Sequence, residues 1–173
     1  MNRRPTFVMT IIAVLCFGLL VPRSGALAQQ KTLKEQLVGA WTLVSSNTTG
    51  PDGTKQQPFG ANPRGILLLD AGGQYAAVLE RPERPKFKDA TDLRSEATVE
   101  EFAAAAREFA ANFGTWSVNE VDKTLTRRLE GALIPNAEGT ESKASVSLAG
   151  DELTIAIIPA AGGRNETVYR RAK

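Results

Sequence analysis

Residues 65–80 read GILLLDAGGQYAAVLE, and this stretch decides the fold class. Two apolar runs, Gly65 to Leu69 and Gln74 to Glu80, flank the tetrapeptide Asp70-Ala71-Gly72-Gly73. Glycine reaches the positive φ that a tight hairpin turn requires, so the stretch predicts two antiparallel strands joined by a short turn. The same punctuation recurs downstream. Strands are predicted over Thr115 to Asn119, Thr124 to Glu130, Lys143 to Leu148, Glu152 to Ile158 and Glu166 to Arg171, separated by 120–123, a longer loop around Pro135-Asn136, 149–151 and 160–163. Upstream, Gly39 to Ser46 (GAWTLVSS) is a strand with Trp41 and Leu43 in one phase. It follows a short helical turn over Lys31 to Val38, with Leu33, Leu37 and Val38 on one side.

Three segments break the rhythm. Thr48 to Gln57 is a polar turn around Pro51-Asp52-Gly53, and 58–63 is a stiff Pro-flanked loop. Arg81 to Ala97, charged and interrupted by prolines, reads as a mobile loop. A helix is then predicted over Val99 to Phe113. Thr98 and Glu101 form a capping box, Phe102, Ala106, Phe109 and Phe113 fall on one face, and Gly114 terminates it. That face reads as core rather than lid. The sum is an all-β chain: an antiparallel up-and-down β-barrel of about eight strands with one inserted amphipathic helix. A meander of that count protects its edges best by closing.

The first 28 residues have a different character. Arg3-Arg4 make a basic start, Phe7 to Val21 is an apolar run, and Ala26-Leu27-Ala28 matches the small-x-small site of a signal peptidase. A cleavable secretory signal over 1–28 is expected, with the folded domain over 29–173 and a periplasmic or extracellular destination. The rival reading, a single membrane anchor, is disfavoured by Gly18, Pro22 and the cleavage site. Leu15 before Cys16 does not suit a lipid-anchor signal, and Pro5-Thr6-Phe7 after the arginine pair does not suit a twin-arginine one.

Composition narrows the function. Three of the 21 basic residues, Arg3, Arg4 and Arg23, lie in the signal and none of the 19 acidic ones does, so 29–173 carries 18 against 19, a net charge of −1. There is no basic block for nucleic acid. The chain has no histidine, and its one cysteine, Cys16, lies in the signal. Ser-His and Cys-His catalysis, histidine-ligated haem and the usual zinc sites are therefore excluded. No Asp-rich calcium loop is present, and no metal or cofactor is expected.

The motifs resemble a known family. LVGAWTLVSS (37–46) resembles the opening of lipocalin-like proteins, with Gly39-Ala40-Trp41 as their Gly-x-Trp motif. Its combination, in order, with PFGANPRGILLLDAGGQYAAVL (58–79), GTWSV (114–118) and IPNAEGTE (134–141) is similar to the bacterial lipocalin-like domain family, over Leu37 to Arg171. The resemblance implies a barrel closed at one end with an apolar cup at the other. It implies that Trp41 packs the closed end beneath a basic residue of the last strand, Arg171 or else Arg170, in a cation–π arrangement. Members of that family often carry a histidine pair on the middle strand. Here the pair is Arg127-Arg128, so histidine-dependent chemistry does not transfer.

Strand parity supplies candidate cup residues. Leu125, Arg127 and Leu129 share one face of their strand, and Tyr75, Ala77 and Leu79 share one face of theirs. A guanidinium turned inward with leucines calls for an anion, which a ligand carboxylate or phosphate would supply. The alternatives are an internal glutamate, such as Glu80 or Glu141, or a bulge that turns Arg127 outward. Tyr75 offers a hydroxyl inside the cup or else sits at its rim, and Trp116 walls the cup or else packs the core. Three functions fit: a binder of a small, largely apolar or amphipathic molecule, with or without an acidic group; a cofactor-free enzyme of the cyclase or isomerase kind; and an envelope protein whose barrel is filled. A carboxylate buried beside Tyr75 would favour the enzyme. No triad or nucleophile–base pair is visible, and oligomeric state is not fixed by the sequence.

Overall fold

The computed structural model describes residues 31–89, 91–92 and 97–173. The expected signal segment, 1–28, lies outside the described residues, as do positions 90 and 93–96 of the charged loop. The strands are β1 (Gly39–Thr49), β2 (Lys55–Gln56), β3 (Arg64–Leu69), β4 (Gln74–Glu80), β5 (Phe109–Asn119), β6 (Thr124–Ala132), β7 (Glu141–Ala149), β8 (Glu152–Ile157) and β9 (Arg164–Arg171). Each pairs antiparallel with its neighbour, and β1 also pairs with β9. Eight strands thus form a closed barrel, and β2 adds a short ninth beside Thr48 and Thr49 of β1. Closure leaves the barrel without a free edge. No helix among the described residues is long and apolar enough to cross a membrane.

The two-residue alternation of a strand sends every second side chain inward. Trp41 and Leu43, Leu67 and Leu69, Tyr75 and Ala77, Leu125, Ala144 and Val146, Leu153 and Ile155, and Tyr169 are all buried together. The hairpin at 70–73 forms as its glycines predict: Gly73 has a positive φ, and its N–H donates to the Asp70 carbonyl.

One end is plugged. Helix α1 (Leu33–Leu37) starts with a capping box between Thr32 and Glu35, and Leu37 is buried beneath the barrel. The Trp41 indole donates to the Leu37 carbonyl at 2.8 Å. Arg171 lies over the Trp41 ring, 4.1 Å from its centroid, and donates from Nη1 and Nη2 to the carbonyls of Val38 and Gln36. Glu120 accepts from the backbone N–H groups of Lys34 and Leu33, and these bonds hold its carboxyl below the usual range. Side chains from β1, β9 and the β5–β6 turn thereby pin a five-residue helix too short to be stable alone.

The structure departs from the sequence reading in one element. Helix α2 spans Val99–Arg107 rather than Val99 to Phe113. Its capping box is as expected, but from Phe109 onward the chain is β5, paired residue for residue with β4 from Glu80↔Phe109 to Gln74↔Thr115. The 109/113 spacing that suggested a helix face equally satisfies alternate strand positions, and cross-strand pairing overrides helix propensity. No residue of α2 is buried. Phe102 stacks edge-on against Phe87 at 5.5 Å, and Phe113 is 55% exposed on the outer wall, so the phenylalanines are not the core stripe expected. Gly114 is no helix terminator. It sits at a β-bulge against Leu129–Gly131, where any Cβ would collide with the Arg128 carbonyl. The described part of the 81–97 loop is anchored: Arg81 pairs with Glu108 and donates to the Pro58 carbonyl, Arg84 pairs with Glu80, and the Lys88 N–H donates to Glu101.

Candidate functional site

The connections at 81–108, 133–140 and 158–163 crowd the end opposite α1, and the site lies between that end and the packed closed half. Arg127 is central to it. It follows Leu125 on the inward face of β6 and pairs across to Trp116 of β5 and Ser142 of β7. Its guanidinium carbon is 5.7 Å from the centroid of the Tyr75 ring, a cation–π distance. Arg127 therefore points into the barrel. The bulge lies beyond it, after Leu129, and leaves its parity intact.

The internal-glutamate alternative is not realised. Glu80 is taken by Arg64 and Arg84, at 2.7 and 2.8 Å, and Glu141 faces Lys143. Among the described residues no carboxylate lies within ion-pair distance of Arg127, and its Nε is buried without a hydrogen-bond partner. The Tyr75 hydroxyl is in the same condition. Tyr75 is only 4% exposed, which removes the rim alternative. Burial pushes its phenol above the ordinary value, with the Arg127 charge opposing and the Glu130 charge adding to the rise. Tyr169 of β9, fully packed, is pushed up to about 12 by burial, again opposed by Arg127. Arg127, with its Nε unbonded, and two desolvated phenols thus come together on the inward face of the barrel wall.

The remaining sequence-derived residues divide in two. Ala77, Leu79 and Leu129 line the inward faces of β4 and β6 above or beside this group, Ala77 fully buried and the leucines partly. Trp116 and Leu125 belong instead to the packed closed half. The Trp116 indole donates to the Asp70 carbonyl in the β3–β4 turn, Lys34 of α1 stands 5.9 Å from its ring, and Leu125 is sealed against the core. Both sit within a few residues of the turns at the plugged end, which is why they fill the bottom of the barrel rather than wall the cup. Sequence reading missed Tyr169, Ala110, Asn112 and Ala132. Tyr169 has the parity of Arg171 and could have been found that way. Ala110 and Asn112 were hidden by the helix assigned over them.

The inward positions above Arg127 are small: Ala77, Ala110, Asn112 and Ala132 face one another across β4, β5 and β6. A cleft of about 380 Å³ opens here, between the end of α2, the start of β5 and the 133–137 turn. A hollow of about 600 Å³ elsewhere is lined by Asn47, Thr49, Lys55, Gln56, Arg164 and Glu166. The β1 and β9 residues among these have the parity opposite to Tyr169, so that hollow lies on the outside of the wall. Among the described residues no acidic, cysteine or histidine cluster is placed to hold a metal.

Comparison with known proteins agrees with this architecture at the level of family. Curated proteins give no match. Among solved structures the chain is similar to a redesigned β-barrel, b11L5F_LGL, at 10% identity over 83% of this chain and 98% of that one, with a TM-score of 0.43. It is also similar to the wild-type fluorescent protein UnaG, at 15% identity over 80% of this chain and 98% of that one, with a TM-score of 0.34. A family model described as the lipocalin-like domain matches residues 38–169, which run from the end of α1 through Tyr169. The chain belongs to the lipocalin-like domain family.

Proposed function

We propose that this protein is an exported binder whose cup holds a small, largely apolar molecule, with an acidic group of that molecule pairing to Arg127. The observation that carries the reading is the unpartnered guanidinium facing the Tyr75 ring inside the barrel, with the Arg127 Nε and the Tyr75 hydroxyl both buried and unbonded. A cation left inside a barrel without a counter-charge is costly, and a ligand carboxylate or phosphate arriving there offsets that cost. The small residues above Arg127, three alanines and Asn112, leave room for a ligand, and the alanines suit its apolar body. Export rests on the 1–28 segment, its apolar run and its Ala26-Leu27-Ala28 site.

Binding is favoured over catalysis by a specific observation. Among the described residues no charged side chain is fully buried: Glu130, the carboxylate whose charge reaches Tyr75, is exposed to solvent, and the Tyr75 hydroxyl has no hydrogen-bond partner with which to share a proton. The test uses Arg127→Met, which keeps the aliphatic bulk and removes the charge. Arg128→Met, on the exposed face of the same strand, is the control. Calorimetric affinity for a long-chain fatty acid should fall by about 1.5–3 kcal/mol in the first variant and stay near wild type in the second. Equal behaviour of the two would remove Arg127 from the site. A wild type that binds neither the acid nor the matching alcohol would favour a filled barrel.

A further inference from the structure

We infer that the ligand enters and leaves through the side of the rim, by the cleft between α2, the start of β5 and the 133–137 turn. This rests on the binding reading above and adds to it a route and a class of ligand. The cleft is unusual in what lines it. Ala110, Asn112, Leu129 and Ala132 occupy inward positions of β5 and β6, and Leu129 is the next residue after Arg127 on that face. Ala106, Leu133 and Ile134 belong to the outer lip. The cleft thus reaches inward-facing side chains of the wall on one side and the surface on the other, where Ile134 is more than half exposed.

The backbone explains why the wall gives way here. The β5–β6 ladder ends at the Asn112↔Ala132 pair and the Leu133-to-Ala111 hydrogen bond, while β5 continues back to Phe109 against β4 alone. The bulge at Gly114 and Leu129–Gly131 interrupts the regular ladder just below. Helix α2, which borders the gap, has no buried residue and rests on the loop through the Phe87–Phe102 contact. A short element held by so few packed side chains moves at low cost. The route is mostly alanine, leucine and isoleucine, with Phe109, one amide, Asn112, and one cation, Arg107, at its α2 side. It suits a narrow, flexible hydrocarbon chain that follows its acidic head to Arg127, and it does not suit a broad rigid ring system.

The experiment measures rates with a naturally fluorescent polyene fatty acid by stopped flow. Ala106→Trp and Ala137→Trp narrow the cleft from its two sides, and both replace side chains outside the barrel core. Ala161→Trp, on the exposed β8–β9 turn at the same end, is the control. A gate changes both directions of passage alike, so the two cleft variants should slow association and dissociation by about tenfold or more while the dissociation constant stays within about threefold. The control should keep wild-type rates. Thermal melts identify any variant that has failed to fold, and the other cleft variant then decides. Wild-type rates in the folded cleft variants, or slowing by Ala161→Trp instead, would overturn the route while leaving the cup intact. A loss of affinity without slowed association would place the cleft in the binding site and not on the path. No binding by wild type would sink the binding reading itself.

Discussion

Replacing Trp41 with alanine tests the closed end more sharply than any other single change. The side chain is wholly buried, its N–H is bonded to the Leu37 carbonyl, and its ring carries Arg171. Truncating a core tryptophan costs about 3–5 kcal/mol in lost contacts and cavity. That is a large part of the roughly 5–15 kcal/mol that holds a domain folded. Trp41→Phe separates the terms. It keeps most of the ring and strands the Leu37 carbonyl, so its cost should be about 1–3 kcal/mol, the penalty for an unsatisfied buried acceptor. Urea unfolding at neutral pH, followed by far-UV circular dichroism, gives both values from the midpoint, provided the slope is unchanged. A loss below about 1 kcal/mol for Trp41→Ala would refute the core assignment, because surface changes lie within about 0.5 kcal/mol. A Trp41→Phe protein as stable as wild type would show that the indole N–H does not hold α1 in place.

Two further outcomes follow from local geometry. Gly114→Ala should destabilise by about 1–3 kcal/mol or more, because its Cβ meets the Arg128 carbonyl and the Glu130 amide, which are backbone and cannot yield. Gly131→Ala should cost clearly less in the same urea melts, because it meets only the Phe113 ring, which can swing into solvent. Alkaline titration followed at 295 nm should show no tyrosine ionising near pH 10 while the protein is folded. Both of the chain's tyrosines, Tyr75 and Tyr169, are buried with raised values. Since the folded-state value for Tyr169 is about 12 against an ordinary 10, its contribution to stability is complete below pH 10 and is lost as the pH rises from 10 through about 12. A full ordinary transition at pH 10 in folded protein would contradict the burial.

The barrel was legible because its strands punctuate themselves. The 70–73 turn, the Gly39-Ala40-Trp41 opening and the alternation in β3 and β4 each encode a local shape that the closed sheet does not override. The stretch Phe109 to Phe113 was not legible. Its spacing fits a helix face and alternate strand positions equally, and the contest was decided by β4, a partner some thirty residues away in sequence. Arg127 was found by parity alone, because Leu125 and Leu129 declare an inward face. What parity could not give was depth along the barrel. Leu125, two residues nearer the β5–β6 turn, falls into the packed floor, and Trp116 falls there with it. Asn112 and the cleft were invisible for the same reason as β5.

The most direct test of the central claim is the carboxyl resonance of a fatty acid labelled with carbon-13 at its carboxyl group, followed against pH in the bound state. A carboxylate paired with Arg127 in a desolvated cup is held in its charged form, so in wild type it should titrate below the free acid or resist protonation until the complex dissociates. In Arg127→Met, burial without the guanidinium should push the same carboxyl upward, above the free acid. A bound resonance that titrates identically in wild type and Arg127→Met would contradict the account, because the acid would then be bound away from Arg127.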